Sequence, residues 1–264
     1  MKIAIAGEMP FVKEMGNLCV KAGHDTVLYL VEDFNSAVHS GWAMPDAVNV
    51  DVAIELHNES AASKEELLVS LGGTIPRDAL LLTSALATST TQAASWVPNP
   101  ERVVGFCVLP PIQADGMIEL AKALQTSESF LQKAVAFCKT VGQEPIIVAD
   151  GPGLVRARTV CCLINEAITA LFEGVASAED IDNAMKLGTN YPYGLLKWAD
   201  YIGLDAVLGV MNGLFNEWGE DRYRPSPLLK RMVMAQKLGR KSGEGFYRYE
   251  QAKPDVAGRQ TLLH

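Results

Sequence analysis

The chain opens KIAIAGEMPFVKEMG: an apolar strand-like run, a single glycine, then a stretch with helical spacing. Glycines at a strand-to-helix bend let the backbone turn tightly and approach a diphosphate, whose charge is met by amides at the positive end of the helix. Gly7 supplies the first of the three glycines such a bend uses, and the other two are absent. Elsewhere the chemistry-bearing residues are dispersed. Cys107 has no adjacent histidine or lysine to lower its pKa, so it reads as a small buried apolar residue rather than a nucleophile. Glu119 could act as a base if desolvated, and its ordinary reading is a solvated or capping carboxylate. The histidines, His24, His39, His57 and His264, lie in separate segments. Five cysteines, including the adjacent Cys161 and Cys162, show no two-residue ligand spacing, so neither a metal site nor a disulfide framework is expected. Arg156, Arg158, Lys230, Arg231, Lys237, Arg240 and Lys241 form a basic set; scattered surface charge is the ordinary reading and phosphate binding the alternative.

These residues are carried by elements of two kinds. The runs KIAIAG, TVLYL, DVAIEL, ALLLTS, RVVGFCVL and EPIIVAD alternate with helical stretches. That rhythm predicts an α/β domain over residues 1–150, a Rossmann-like doubly wound parallel sheet. From Val155 the pattern is helical. Val160, Leu163, Ile164, Ala167, Ile168, Leu171 and Phe172 share one apolar face, and Leu204, Val207, Leu208, Met211, Leu214, Phe215 and Trp218 share another. Core packing is the plain reading of both, and one is broad enough to face a second subunit. Between them SAED has the form of a capping box, with Ser177 and Asp180 closing a helix start. An all-helical domain is therefore expected over residues 151–249, followed by a low-order tail, 250–264.

Composition narrows the partners. With 264 residues, 48% hydrophobic and 20% charged, the chain is long enough for two modest domains. A net charge of −8 argues against nucleic acid or an anionic membrane, since both need clustered Lys and Arg, and favours a small molecule. No run approaches a membrane span, and the start lacks the pattern of a signal peptide, so a soluble protein of a reducing cytoplasm is expected.

Three ordered stretches in the second half, NEAITALFEGVASAEDIDNAMKLG, YPYGLLKWADYIGLD and LGRKSGEGFY, resemble the C-terminal domain of the short-chain L-3-hydroxyacyl-CoA dehydrogenase (3-hydroxybutyryl-CoA dehydrogenase) family, over roughly residues 151–249. The first half is collinear with the same family. The resemblance implies NAD as cofactor, an acyl-CoA as substrate oxidised at its 3-hydroxyl, and a homodimer formed through the helical domain, which also walls the acyl-CoA cleft.

Carried across residue by residue, the family's working parts are incompletely kept. Met9 and Val12 fall on the second and third glycine positions, and Pro10 removes a backbone donor from the bend. A side chain at Met9 is expected to project into the diphosphate space, so NAD is not expected in the family's usual mode. The acidic residue at the end of the second strand falls on Leu30, with Glu32 and Asp33 just beyond. Glu59 and Lys64 match two polar positions flanking the nicotinamide ribose. Cys107 stands at the family's acid/base histidine, Glu119 keeps the place of its partner glutamate, placed on a helix downstream, and Ala157 replaces the substrate asparagine beside Arg158. The family serine falls on Leu86 or Ala87, with the hydroxyls of Thr88 and Ser89 nearby. The long helical hairpin that closes over coenzyme A in the family is replaced by VEDFNSAVHSGWAMPDAVNV. Two readings follow: a divergent NAD-dependent dehydrogenase, or a catalytically inactive pseudoenzyme that binds acyl-CoA or pairs with an active homologue. A lysine-dependent β-hydroxyacid dehydrogenase shares the two-domain plan, but VRARTVCCLINEA offers arginines only.

Overall fold

Near-continuous apolar runs in the first half suit strands covered on both faces, and the computed structural model, which describes residues 1–30 and 49–250, assembles them into one sheet. The strands are β1 (Lys2–Gly7), β2 (Asp25–Leu30), β3 (Val52–Leu56), β4 (Leu80–Ser84), β5 (Val103–Cys107), β6 (Met117–Lys122) and β7 (Glu144–Val148), in the order β2-β1-β3-β4-β5-β6-β7. Between them run α1 (Phe11–Lys21), α2 (Ala61–Thr74), α3 (Thr90–Ser95) and α4 (Glu128–Thr140). Strands β1 to β5 are parallel, as expected. β6 is antiparallel to β5, and β7 is parallel to β6, so the last two strands run the other way. β6 is a strand the sequence reading did not include. Its residues, MIELAK, are mostly good helix formers, and pairing with β5 overrides that local preference.

Because side chains alternate across a strand, β1 feeds two cores. Ile3 and Ile5 join Phe11, Val12 and Met15 of α1, Leu131 and Phe137 of α4 and the helical domain; Ala4 and Ala6 join Leu67, Leu68 and Leu71 of α2 and Ala93 and Ala94 of α3. The architecture is a Rossmann-like sheet with helices on both faces, followed by a helical domain.

That second domain comprises α5 (Arg156–Phe172), α6 (Ala178–Thr189), α7 (Leu195–Ile202), α8 (Leu204–Trp218) and α9 (Pro227–Met234). The expected faces are largely inside: Val160, Ile164, Ala167 and Ile168 of α5, and Leu204, Val207, Met211 and Leu214 of α8, are buried. Ser177 caps α6, accepting from the Asp180 amide at 3.2 Å and donating to Asp180 Oδ2 at 2.6 Å.

The two domains share one apolar core and are pinned by polar contacts. Trp198 Nε1 donates to Pro110 O at 2.8 Å, Tyr201 Oη to Glu14 Oε1 at 2.8 Å, and the Gly153 amide to Ala85 O at 2.7 Å. α8 lies against the loops after β3 and β4. A Cβ at Gly209 would fall 2.5 Å from Asn58 O, and one at Gly213 would collide with the Ala87 backbone. Among the described residues no helix is long and apolar enough to cross a membrane. The expected tail beyond Glu250 lies outside them.

Candidate functional site

In an open α/β sheet the carboxyl ends of the strands form the ligand crevice, and here those of β1, β3 and β4 carry a dense polar network. Gly7 allows β1 to turn against β3, where any Cβ would strike the Leu56 backbone, and the Glu8 amide then donates to Leu56 O at 3.2 Å. This places the Glu8 carboxylate inside the bend. Its Oε1 accepts from the Asn58 amide at 3.1 Å and from Asn58 Nδ2 at 3.3 Å, and its Oε2 stands 2.8 Å from His57 Nδ1. Asn58 Oδ1 in turn accepts from Ser84 Oγ at 2.6 Å.

One layer below, Glu55 is fully buried in β3. Its carboxylate pairs with the Lys64 ammonium and accepts from Thr83 Oγ1 at 2.7 Å and the His57 amide at 2.5 Å. Lys64 Nζ also donates to His57 O at 3.1 Å. His57 feels opposing forces. Burial favours the neutral imidazole, but the Glu8 carboxylate, with Glu55 behind it, carries the pKa above the ordinary histidine value, against the smaller effect of Lys64. Its Nε2 is buried and finds no hydrogen-bond partner among the described residues. An unsatisfied buried polar atom costs about 1–3 kcal/mol, so this atom needs an explanation.

His57 lines two clefts. The wider, about 500 Å³, is bounded by Gly7, Glu8, Met9 and Leu30 on one side and by Asp205, Leu238 and Lys241 of the helical domain on the other. The smaller, about 210 Å³, is walled by Asn58, Ser60 and Thr88 and by Gly209, Asn212 and Asn216 of α8. Lys241 ties the domains across the wider cleft, pairing with Glu59 at 2.7 Å and with Asp205. Burial and the neighbouring Glu59 push the Asp205 carboxyl up to about 6.

Comparison with known proteins identifies the lineage. The family model described as "3-hydroxyacyl-CoA dehydrogenase, C-terminal domain" matches residues 153–249, and "3-hydroxyacyl-CoA dehydrogenase, NAD binding domain" matches residues 14–151. A probable 3-hydroxybutyryl-CoA dehydrogenase of Bacillus subtilis is 38% identical over 208 residues, 79% of this chain and 72% of the relative. The chain belongs to the 3-hydroxyacyl-CoA dehydrogenase family. The mitochondrial hydroxyacyl-coenzyme A dehydrogenase of Mus musculus is 32% identical over 219 residues, 83% of this chain and 67% of the relative. The crystal structure of (S)-3-hydroxybutyryl-CoA dehydrogenase from Ralstonia eutropha superposes with a TM-score of 0.75 at 29% identity, covering 94% of this chain and 99% of that one. The NAD-binding match begins inside α1, so β1 and the bend lie outside it.

Against that family background, the structure revises several residue assignments. Met9 is 41% exposed and lines the wider cleft beside Gly7 and Glu8, and also a second cleft against Tyr201 and Arg240, while Val12 packs into the core under α1. The side chain inside the bend is that of Glu8. Leu30 ends β2 half-buried at the wider cleft, and Glu32 and Asp33, with most of the segment in place of the hairpin, lie outside the described residues. Glu59 is at the cleft but engaged by Lys241, and Lys64 is turned inward to Glu55.

At the other end of the crevice, Glu119 is on strand β6 rather than a helix, directly opposite Cys107. Its carboxylate accepts from the Val155 amide at 3.3 Å and the Arg156 amide at 3.0 Å, capping α5 and joining the domains. Cys107 Sγ is buried 3.9 Å from Gly153 O, and burial, reinforced by Glu119, pushes its pKa up to about 12. Ala157 is buried in the first turn of α5, and Leu86 in the core. Of the nearby hydroxyls, Thr88 lines the smaller cleft and Ser89 caps α3, accepting from the Gln92 amide at 3.3 Å.

Sequence reasoning missed Glu8, His57, Asn58 and Glu55. One signal was present: a glutamate inside the otherwise apolar strand VAIEL, followed by a lysine nine residues on, marks a buried charge that must find a partner. The pairing of Glu8 with His57 joins segments 49 residues apart and has no local signature.

Proposed function

We propose that this chain keeps the family's fold and its acyl-CoA class of ligand but not NAD-dependent oxidation of a 3-hydroxyl. The observation that carries this reading is the Glu8 carboxylate in the bend, already holding the Asn58 amide and the His57 imidazole. A diphosphate brought there would stand beside a fixed anion. Two unit charges 4 Å apart repel by about 4 kcal/mol at an effective dielectric of 20; the His57 ring paired with Glu8 offsets part of this, and Pro10 offers no amide in return. NAD does not fit these residues. The state of the family's acid/base position supports the same conclusion: a thiol with a pKa near 12 stays protonated at neutral pH, and the adjacent carboxylate is occupied by helix capping.

An acyl-CoA-type ligand is supported by the smaller cleft. Its walls combine the amides and hydroxyls of Asn58, Ser60, Thr88, Asn212 and Asn216 with His57, Glu59 and Lys64, and at about 210 Å³ it falls below the roughly 300–1,000 Å³ of drug-sized sites, suiting a short acyl group rather than a nucleotide. The helical domain pairs with a second copy in this reading; exposed Val175, Leu187 and Met234 on that domain support it. The five unpaired cysteines suit a reducing cytoplasm. The test is an assay of the full chain with NADH and acetoacetyl-CoA, run beside calorimetric titration of acetoacetyl-CoA alone. Binding of the thioester without turnover is expected; NADH-dependent reduction would overturn the proposal.

A further inference from the structure

The unpartnered nitrogen at the strand ends is the feature that the family's chemistry leaves unused. His57 is 5% exposed and lines both clefts; among the described residues neither ring nitrogen has a hydrogen-bond partner, Nδ1 has the Glu8 carboxylate 2.8 Å away as an ion-pair partner, and Nε2 has none. A buried imidazole nitrogen normally completes its hydrogen bonding within the protein or with a bound molecule. The arrangement around it is rigid: the His57 amide is fixed by Glu55, its carbonyl by Lys64, and the next residue, Asn58, by Glu8 and Ser84. A carboxylate facing Nδ1 takes the proton of that nitrogen, and in the imidazolium that Glu8 favours Nε2 carries a proton too and donates.

We infer that His57, oriented by Glu8, is a ligand-contacting residue of the interdomain cleft, donating from Nε2 to a carbonyl oxygen of a short 3-oxoacyl thioester. This rests on the acyl-CoA reading above and adds the recognising group. Glu8 is then a positioning residue that sets the tautomer and charge of the ring. The choice of a carbonyl over a phosphate follows from the charges at hand. Glu8, Glu59 and Asp205 line the wider cleft with Lys241 as the lysine among them, and Lys241 is already shared by two carboxylates. A neutral acceptor oxygen meets the imidazole without adding to that negative charge.

The experiment follows the His57 ring nitrogens by NMR in the full chain, with 15N-labelled histidine, during titration with acetoacetyl-CoA and, in a parallel arm, free acetoacetate. The expected result is a saturable shift of the His57 Nε2 resonance with His24 unmoved, and about tenfold or greater weakening of thioester binding in His57→Gln. If acetoacetyl-CoA binds but the His57 resonance stays fixed, or His57→Gln binds as tightly, the role of His57 is overturned and the ligand class stands. If acetoacetyl-CoA does not bind, the ligand class falls. The acetoacetate arm then decides for His57: a saturable shift supports it, and silence in both arms overturns it. Should His57→Gln fail to fold, the wild-type resonances decide alone. Glu8→Gln tests the positioning role. The Glu8 carboxylate faces the ring with Glu55 and Lys64 behind it and Glu59, Asp205 and Lys241 across the cleft. Removing the Glu8 charge is expected to bring the His57 titration to lower pH, whereas a purely structural contact would leave it unchanged.

Discussion

The two ends of the strand-end crevice spend their carboxylates differently. At β5 and β6, Glu119 is consumed by the first amides of α5 and sits opposite a buried thiol, so that end fastens one domain to the other. At β1 and β3, Glu8 and Glu55 flank a histidine whose Nε2 has no partner among the described residues. Both ends are buried, so exposure does not separate them. The difference is whether a polar group's hydrogen bonds all close within the protein, and it separates a structural carboxylate from one that can serve a ligand.

The comparison can be broken first at its buried charges. Lys64→Met strands the fully buried Glu55 carboxylate and is expected to cost about 3–5 kcal/mol in denaturant unfolding; a loss under 1 kcal/mol would mean Glu55 is not relying on that ammonium. Glu119→Ala removes a charged acceptor from two amides at the domain junction and should cost about 1.5–3 kcal/mol, with thioester binding measured by calorimetry changing less than in His57→Gln. If Glu119→Ala abolishes binding while stability holds, the two ends have been assigned the wrong way round.

A pH series sharpens the contrast. The folded-state pKa of His57 is raised, so the His57–Glu8 pair contributes stability fully below about pH 6.5, the unfolded value, and that contribution is lost as pH rises through the folded value. Glu8→Gln should remove this slope from the unfolding free energy, and the wild-type slope persisting in the variant would contradict the pairing. The smallest effect belongs to Cys107→Ala, about 1 kcal/mol from a lost buried sulfur, with no change in thioester binding. A thiol-specific reagent should leave Cys107 unmodified in the folded chain.

Much of the fold was legible because it rests on local pattern. The apolar runs gave β1 to β5 and β7, the spacing of Val160, Ile164 and Ile168 gave α5, and Ser177 marked the start of α6. β6 was missed because MIELAK favours helix locally and becomes a strand only by pairing with β5. The obstruction of the bend was legible in part. The missing glycines pointed to an obstructed diphosphate space and to Met9, which lines the cleft; the Glu8 carboxylate beside it, drawn inward by Asn58 and His57, was not foreseen. Cys107 was read correctly as buried. Its partner Glu119 was placed on the wrong kind of element, and only the tertiary structure shows what it caps.

The most direct check of the central claim is a calorimetric titration of the full chain with NADH, beside Glu8→Gly. A bend closed by its own carboxylate predicts no saturable heat for the native sequence. Tight one-to-one binding of NADH that survives unchanged in Glu8→Gly would contradict it, because the dinucleotide would then be held without regard to the charge in the bend.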